Sequence, residues 1–146
     1  MSGRRGARRQ ALDVLYQADI TDAPPADVLS SWEGAGKTIS PFTRELVVGV
    51  ASFQPEVDLL LEEHADGWTV ARMAVVDRTI LRLAVFELLH SPDVPRSVAI
   101  SEAVEAAADL SADESKRFVN GVLGTIERAI PPAAGSADPS VPPVAD

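Results

Sequence analysis

Residues 70–90 read VARMAVVDRTILRLAVFELLH, and their apolar positions decide the fold class. Met73, Val76, Ile80, Leu83, Ala84 and Leu88 recur at the three- and four-residue spacing of one helical face, not at the alternation of a half-buried strand. The stretch is long enough for a central helix, or for a short helix running into one. Arg72, Arg78 and Arg82 lie along its edge.

The same period continues on both sides. Upstream, Asp22 to Trp32 reads as a loop entering a short helix, with Pro24 and Pro25 near its first turn and Val28, Leu29 and Trp32 on one face. Ser40 followed by Pro41 is an N-cap with proline at the first helical position, and Phe42, Leu46, Gly49, Val50 and Phe53 form that helix's buried face. Pro55 opens the next helix, which carries Val57, Leu60, Leu61 and His64 along a side. Downstream, Ser91-Pro92-Asp93-Val94-Pro95 breaks the pattern. Val98 to Leu110 is alanine-rich, with Ile100, Val104 and Ala107 facing inward. Ser111 and Glu114 have capping-box spacing at the start of a last helix, whose apolar face is Phe118, Val119, Val122, Leu123 and Ile126 and which Pro131 ends. Gly121 and Gly124 in its interior each cost about 1 kcal/mol relative to alanine, so close helix–helix approach is expected there. Asn120 is expected to satisfy a backbone or loop group. The chain reads as all-α, with about seven helices and no convincing strand.

Length and composition fit one globular domain: 146 residues, 46% hydrophobic and 24% charged. There is no cysteine, hence no disulfide framework, thiolate metal site or thiol nucleophile, which fits a cytoplasmic location. No apolar run could span a membrane and no signal core follows the first charges. Charge is unevenly placed. Arg4, Arg5, Arg8 and Arg9 precede the first acidic residue, Asp13, in a chain of net charge -9, which suggests a specific polyanion contact. Arg5, Arg8, Arg9, Leu12, Leu15 and Tyr16 share one helical stripe. Because unpaired buried arginines are prohibitive, the arginine turn is expected to overhang the body as an arm ordered on binding. The expected organisation is a basic arm over 1–10, a helical domain over 11–130, and a disordered proline-rich tail over 131–146.

The chain is poor in groups for catalysis. His64 and His90 fall at the ends of different helices, where a capping or surface role outweighs the alternative of a small hydrolase built on His64. Glu62, Glu63 and Asp66 suit a solvated face better than a metal site, and Gly34-Ala35-Gly36-Lys37 lacks phosphate-loop spacing. No enzyme, cofactor or metal is expected.

Several segments together resemble the NusB family of transcription antitermination factors. They are Arg8-Arg9 with Ala11-Leu12 and Leu15-Tyr16-Gln17; Glu45-Leu46-Val47 with Gly49-Val50; Asp77-Arg78 with Ile80-Leu81-Arg82-Leu83-Ala84 and Glu87-Leu88; Val94-Pro95; Ala99-Ile100-Ser101-Glu102-Ala103-Val104; and Phe118-Val119-Asn120-Gly121-Val122-Leu123. The resemblance implies two small packed helical bundles and a non-enzymatic role. It implies binding of the boxA element of nascent ribosomal RNA transcripts with the ribosomal protein NusE, within the RNA polymerase antitermination complex. RNA would meet Arg4, Arg5, Arg8 and Arg9 and the start of the last helix, Glu114, Lys116, Arg117 and Phe118, with Arg72, Arg78 and Arg82 extending the surface. The protein partner would pack on Tyr16 and Asp77. Phe118 stays open between a core position and a base-stacking one, and Glu114 is a capping residue whose charge would weaken RNA binding. The alternative is a helical protein–protein adaptor or homodimer that does not bind RNA directly.

Overall fold

The computed structural model describes residues 3–131; the expected disordered tail, apart from Pro131, lies outside the described residues. Six α-helices follow one another: α1 (Arg4–Thr21), α2 (Pro25–Gly34), α3 (Pro41–His64), α4 (Val75–His90), α5 (Arg96–Leu110) and α6 (Asp113–Ala129). A single 3-10 turn, Val70–Arg72, precedes α4, so residues 70–90 form a short helix followed by a long one. Among the described residues there is no strand.

Helices α1, α2 and α3 pack together as one bundle and α4, α5 and α6 as another. Contacts of α4 with α3 and α1 join them, and one continuous core runs through both. Leu46, Val50, Val57 and Leu61 of α3, Ile80, Leu81 and Val85 of α4, and Val119, Leu123 and Ile126 of α6 are almost wholly buried in it. The expected signals at two helix starts hold. Pro25 occupies the first turn of α2, and the Ser40 hydroxyl accepts from the Thr43 N–H at 3.1 Å ahead of Pro41.

Several local expectations give way to tertiary structure. Pro55 does not start a helix: α3 runs through it. Pro55 sits on the exposed side, where the hydrogen bond its ring deletes is open to solvent, while Val50, Val57 and Leu61 keep burying the other face. Phe53, on the same helix, is 40% exposed and stacks on His90 at 3.9 Å. The capping box at Ser111 and Glu114 does not form either, because α6 begins at Asp113 with Ala112 as its N-cap. A charged acceptor wins the serine instead: Ser111 Oγ donates to Asp77 Oδ1 at 2.6 Å, and Ser115 Oγ to Asp77 Oδ2 at 2.9 Å. Asp77 thereby ties the first turn of α4 to the start of α6.

Close approach falls at a different glycine from the expected pair. A Cβ on Gly49 would lie 2.1 Å from the Phe86 ring, so α3 and α4 meet there, whereas a Cβ on Gly121 would meet nothing and one on Gly124 only the Arg128 side chain. Asn120 is exposed and its side chain has no hydrogen bond among the described residues. On α5 the deeply buried residues are Ala99, Ala103, Ala106 and Ala107, while Ile100 and Val104 are half-buried. This alanine face lets α5 lie close to its neighbours, and that closeness sets the electrostatics of the site.

Candidate nucleic-acid interface

The expected overhanging arm is instead the first turns of α1, which begins at Arg4. Each of its arginines meets a carboxylate from distant sequence. Arg8 is buried, with side-chain exposure of 8%, and forks onto Glu87, whose exposure is 2%: Nε donates to Oε2 at 2.9 Å and Nη2 to Oε1 at 2.8 Å. Its burial is tolerable because it is paired. Arg5 donates to Glu102 at 2.8 Å and to Glu105 at 2.5 Å, Arg9 to Asp109 at 2.7 Å, and Arg4 to Asp93 at 2.7 Å while lying over the Phe42 ring.

These contacts show in the titration of their partners. The hydrogen bond from Arg5 is the main influence holding the Glu102 carboxyl below its usual range, and that from Arg4 does the same for Asp93. Glu102 in turn raises Arg5 above the ordinary arginine value. Arg5 nonetheless keeps 63% of its side chain exposed and Arg4 49%, so an incoming phosphate can compete for them, whereas Arg8 is closed to one.

Arg78 and Arg82 are similarly engaged. Arg78 donates two hydrogen bonds to Asp19, at 2.6 and 2.7 Å, and Arg82 donates two to Asp58, at 2.8 and 3.0 Å, with a further contact to Asp19. The bond from Arg78 is the first cause holding the Asp19 carboxyl below its usual range. Both arginines are largely buried and bind α4 to α1 and α3.

Arg72, Lys116 and Arg117 differ from the other expected RNA-binding cations: among the described residues none has a carboxylate partner. Arg72 ends the 3-10 turn, and Lys116 and Arg117 are exposed in the first two turns of α6. Between these elements opens a cleft of about 520 Å³ lined by Trp68, Arg72, Met73, Ala74, Asp77, Glu114, Ser115 and Phe118. Phe118 is half-buried: it packs against the core and also meets Trp68 edge-on at 6.0 Å. Both readings left open for it thus have a physical basis. Trp68, 47% exposed, was not anticipated. Its only sequence signal is a lone indole after Gly67, in the break between two helical patterns, and Gly67 takes φ +77° there.

The two residues expected at a protein partner lie apart in character. Tyr16 is 39% exposed and borders a second cleft, about 190 Å³, with Leu12, Asp13, Val76, Thr79, Ile80 and Leu110. Burial pushes the Asp13 carboxyl up, against the pull of Arg9 and Lys37. Asp77 is only 8% exposed, with both oxygens held by serines, so its evident role is to position α6. His64 Nδ1–H donates to the Leu60 carbonyl and His90 bonds Glu56, far from any shared constellation. Among the described residues no group of acidic or histidine side chains could hold a metal ion.

Fold and surface together define a small all-helical domain with an aromatic cleft lined by Arg72 and with Lys116 and Arg117 exposed nearby in sequence on α6. The chain belongs to the NusB family, whose model matches residues 5–128. It is 47% identical over 132 residues to the transcription antitermination protein NusB of Arthrobacter sp. (strain FB24), covering 90% of this chain and 97% of that one. It is 44% identical over 144 residues to the protein of that name from Acidothermus cellulolyticus, covering 98% and 99%. Among solved structures it is similar to T. maritima NusB, with TM-score 0.78, 30% identity, and 87% and 92% of the two chains covered. It is also similar to a chain in a crystal structure of the antitermination factors NusB and NusE in complex with dsRNA, with TM-score 0.77, 27% identity, and coverage of 87% and 97%. No helix among the described residues is long and apolar enough to cross a membrane.

Proposed function

We propose that this chain is a cytoplasmic, non-enzymatic transcription antitermination factor. It binds the boxA element of nascent ribosomal RNA transcripts together with the ribosomal protein NusE and so supports rRNA transcription by the polymerase antitermination complex. The observations that carry this reading are Arg72 in the cleft with the half-buried Phe118, and Lys116 and Arg117 exposed beside it at the start of α6, all three without carboxylate partners among the described residues. Guanidinium groups donate charge-assisted hydrogen bonds to phosphate, and an aromatic ring stacks on any unpaired base. Arg4, Arg5 and Arg9 form a second cationic row whose acids must be displaced. Arg8, Arg78 and Arg82 act from beneath the surface by fixing the helices that display the others.

The partner's seat is the Tyr16 cleft, with exposed Leu110 at its edge and Ile20 further along α1. Asp77 lines the Trp68–Phe118 cleft and locks α6 to α4. With net charge -9 the body repels phosphate, so RNA binding is weak alone and tightens when the partner adds positive charge. A gel-shift series with boxA RNA, NusE and both tests this. A shift that strengthens with both present is expected; no RNA-dependent shift under any condition overturns the reading in favour of a purely protein-binding adaptor.

A further inference from the structure

We infer that the cleft between Trp68 and Phe118 is a seat for one unpaired nucleobase, with Trp68 as its principal stacking surface. This rests on the RNA-binding reading above and adds to it the site, the residue and the strand form of the ligand. Trp68 is 47% exposed, although an indole at a domain surface gains from burial. It has a neighbouring aromatic wall in Phe118, centroids 6.0 Å apart and planes at 62°, so the two rings are not stacked face to face on each other. Met73 and Ala74 supply the rest of the apolar lining.

Charge selects the occupant. Glu114 and Asp77 line the cleft, and carboxylates there repel a phosphate. Arg72 is the cation that lines the cleft, while Arg117, exposed a single turn of α6 from Glu114, lies outside the lining. A flat neutral ring with an anionic group beside it matches this pattern, which is the shape of a nucleotide within a single strand. A buried apolar protein side chain would leave Arg72 unused. A base still paired in a duplex has its faces stacked on neighbours and cannot enter.

The test is a fluorescence and anisotropy titration of the full chain, with NusE present, using single-stranded boxA RNA and the same RNA annealed to its complement. Wild type, Trp68→Ala, Trp68→Phe and Arg72→Ala/Arg117→Ala are compared, with circular dichroism confirming the fold. Single-stranded RNA is expected to quench tryptophan emission in wild type and not in Trp68→Ala. Trp68→Ala is expected to weaken single-strand binding roughly ten- to hundredfold with its salt dependence unchanged, Trp68→Phe to retain part of the affinity, and duplex binding to change little. If Trp68→Ala binds the single strand as tightly as wild type while Arg72→Ala/Arg117→Ala binds it weakly, the RNA-binding reading stands and the base seat is wrong. Trp68 emission that answers to NusE alone and not to RNA makes the cleft a protein site and also overturns it. Failure of wild type to bind either RNA defeats both readings.

Discussion

The Arg8–Glu87 pair sits where the arginine row meets the core, and removing one partner should expose how much of that row is structural. Arg8→Ala strands a carboxylate that is 2% exposed and that has no other ion-pair partner among the described residues. Breaking such a buried pair costs about 3–5 kcal/mol, a large share of the ~5–15 kcal/mol that stabilises a typical domain. The Arg8 guanidinium also lies 5.4 Å from the Phe42 ring centroid and 4.0 Å from Glu102, so its loss loosens the α1–α3 and α1–α5 contacts together. In urea unfolding followed by far-ultraviolet circular dichroism, the midpoint should fall by on the order of 2 M. Replacing both partners, Arg8→Met with Glu87→Leu, removes both buried charges and should recover most or all of that loss. The double variant should then bind RNA within about twofold of wild type, because Arg8 offers phosphate only 8% of its side chain. An Arg8→Ala midpoint equal to wild type, or a double variant no more stable than Arg8→Ala, would refute the reasoning.

Other outcomes follow from the same structure. Glu102→Gln/Glu105→Gln frees Arg5 from both of its carboxylates, so RNA affinity measured by anisotropy should rise severalfold at low salt and less at high salt; unchanged affinity would mean that Arg5 never reaches the RNA. Gly121→Ala should stabilise the protein by up to about 1 kcal/mol, since its Cβ meets nothing, whereas Gly49→Ala should destabilise it by ~1–3 kcal/mol by pressing on Phe86; thermal melts that rank the two the other way would contradict the packing. Asp19 and Glu102 are held below their ordinary carboxyl range, so their contribution is present above the unfolded pKa and is lost as pH falls through the folded one, giving an acid limb below about pH 4. Asp13, raised by burial, acts with the opposite sign. Asp19→Asn should therefore flatten the acid limb of stability against pH, and an unaltered limb would remove Asp19 from the account.

The helices were legible because amphipathic period is a local property, and so were the caps at Ser40-Pro41 and Pro24-Pro25. What was illegible depends on partners far away in the chain. Arg8 meets Glu87 at a separation of 79 residues and Arg9 meets Asp109 at 100, and nothing in the local pattern of residues 1–12 names those carboxylates. The arm accordingly read as overhanging, although pairing lets it lie down. Ser111 was drawn from its cap by Asp77, again a distant acid, and Pro55 was carried through α3 by burial of residues on either side. Of the site, the cations and Phe118 were visible, but which of them stay unpaired was not. Trp68 went unseen because a single aromatic in a loop has no periodicity to mark it.

The central claim is that RNA is held by the cations that the fold leaves without carboxylate partners, Arg72 before α4 and Lys116 and Arg117 at the start of α6. It is tested most directly by the salt dependence of boxA RNA affinity, with NusE present, for wild type and Arg72→Ala/Lys116→Ala/Arg117→Ala. Each phosphate contact on a single strand contributes about 0.7 to the log–log slope, so the variant's slope should be shallower by roughly 2. A slope equal to that of wild type would place the RNA elsewhere on the molecule.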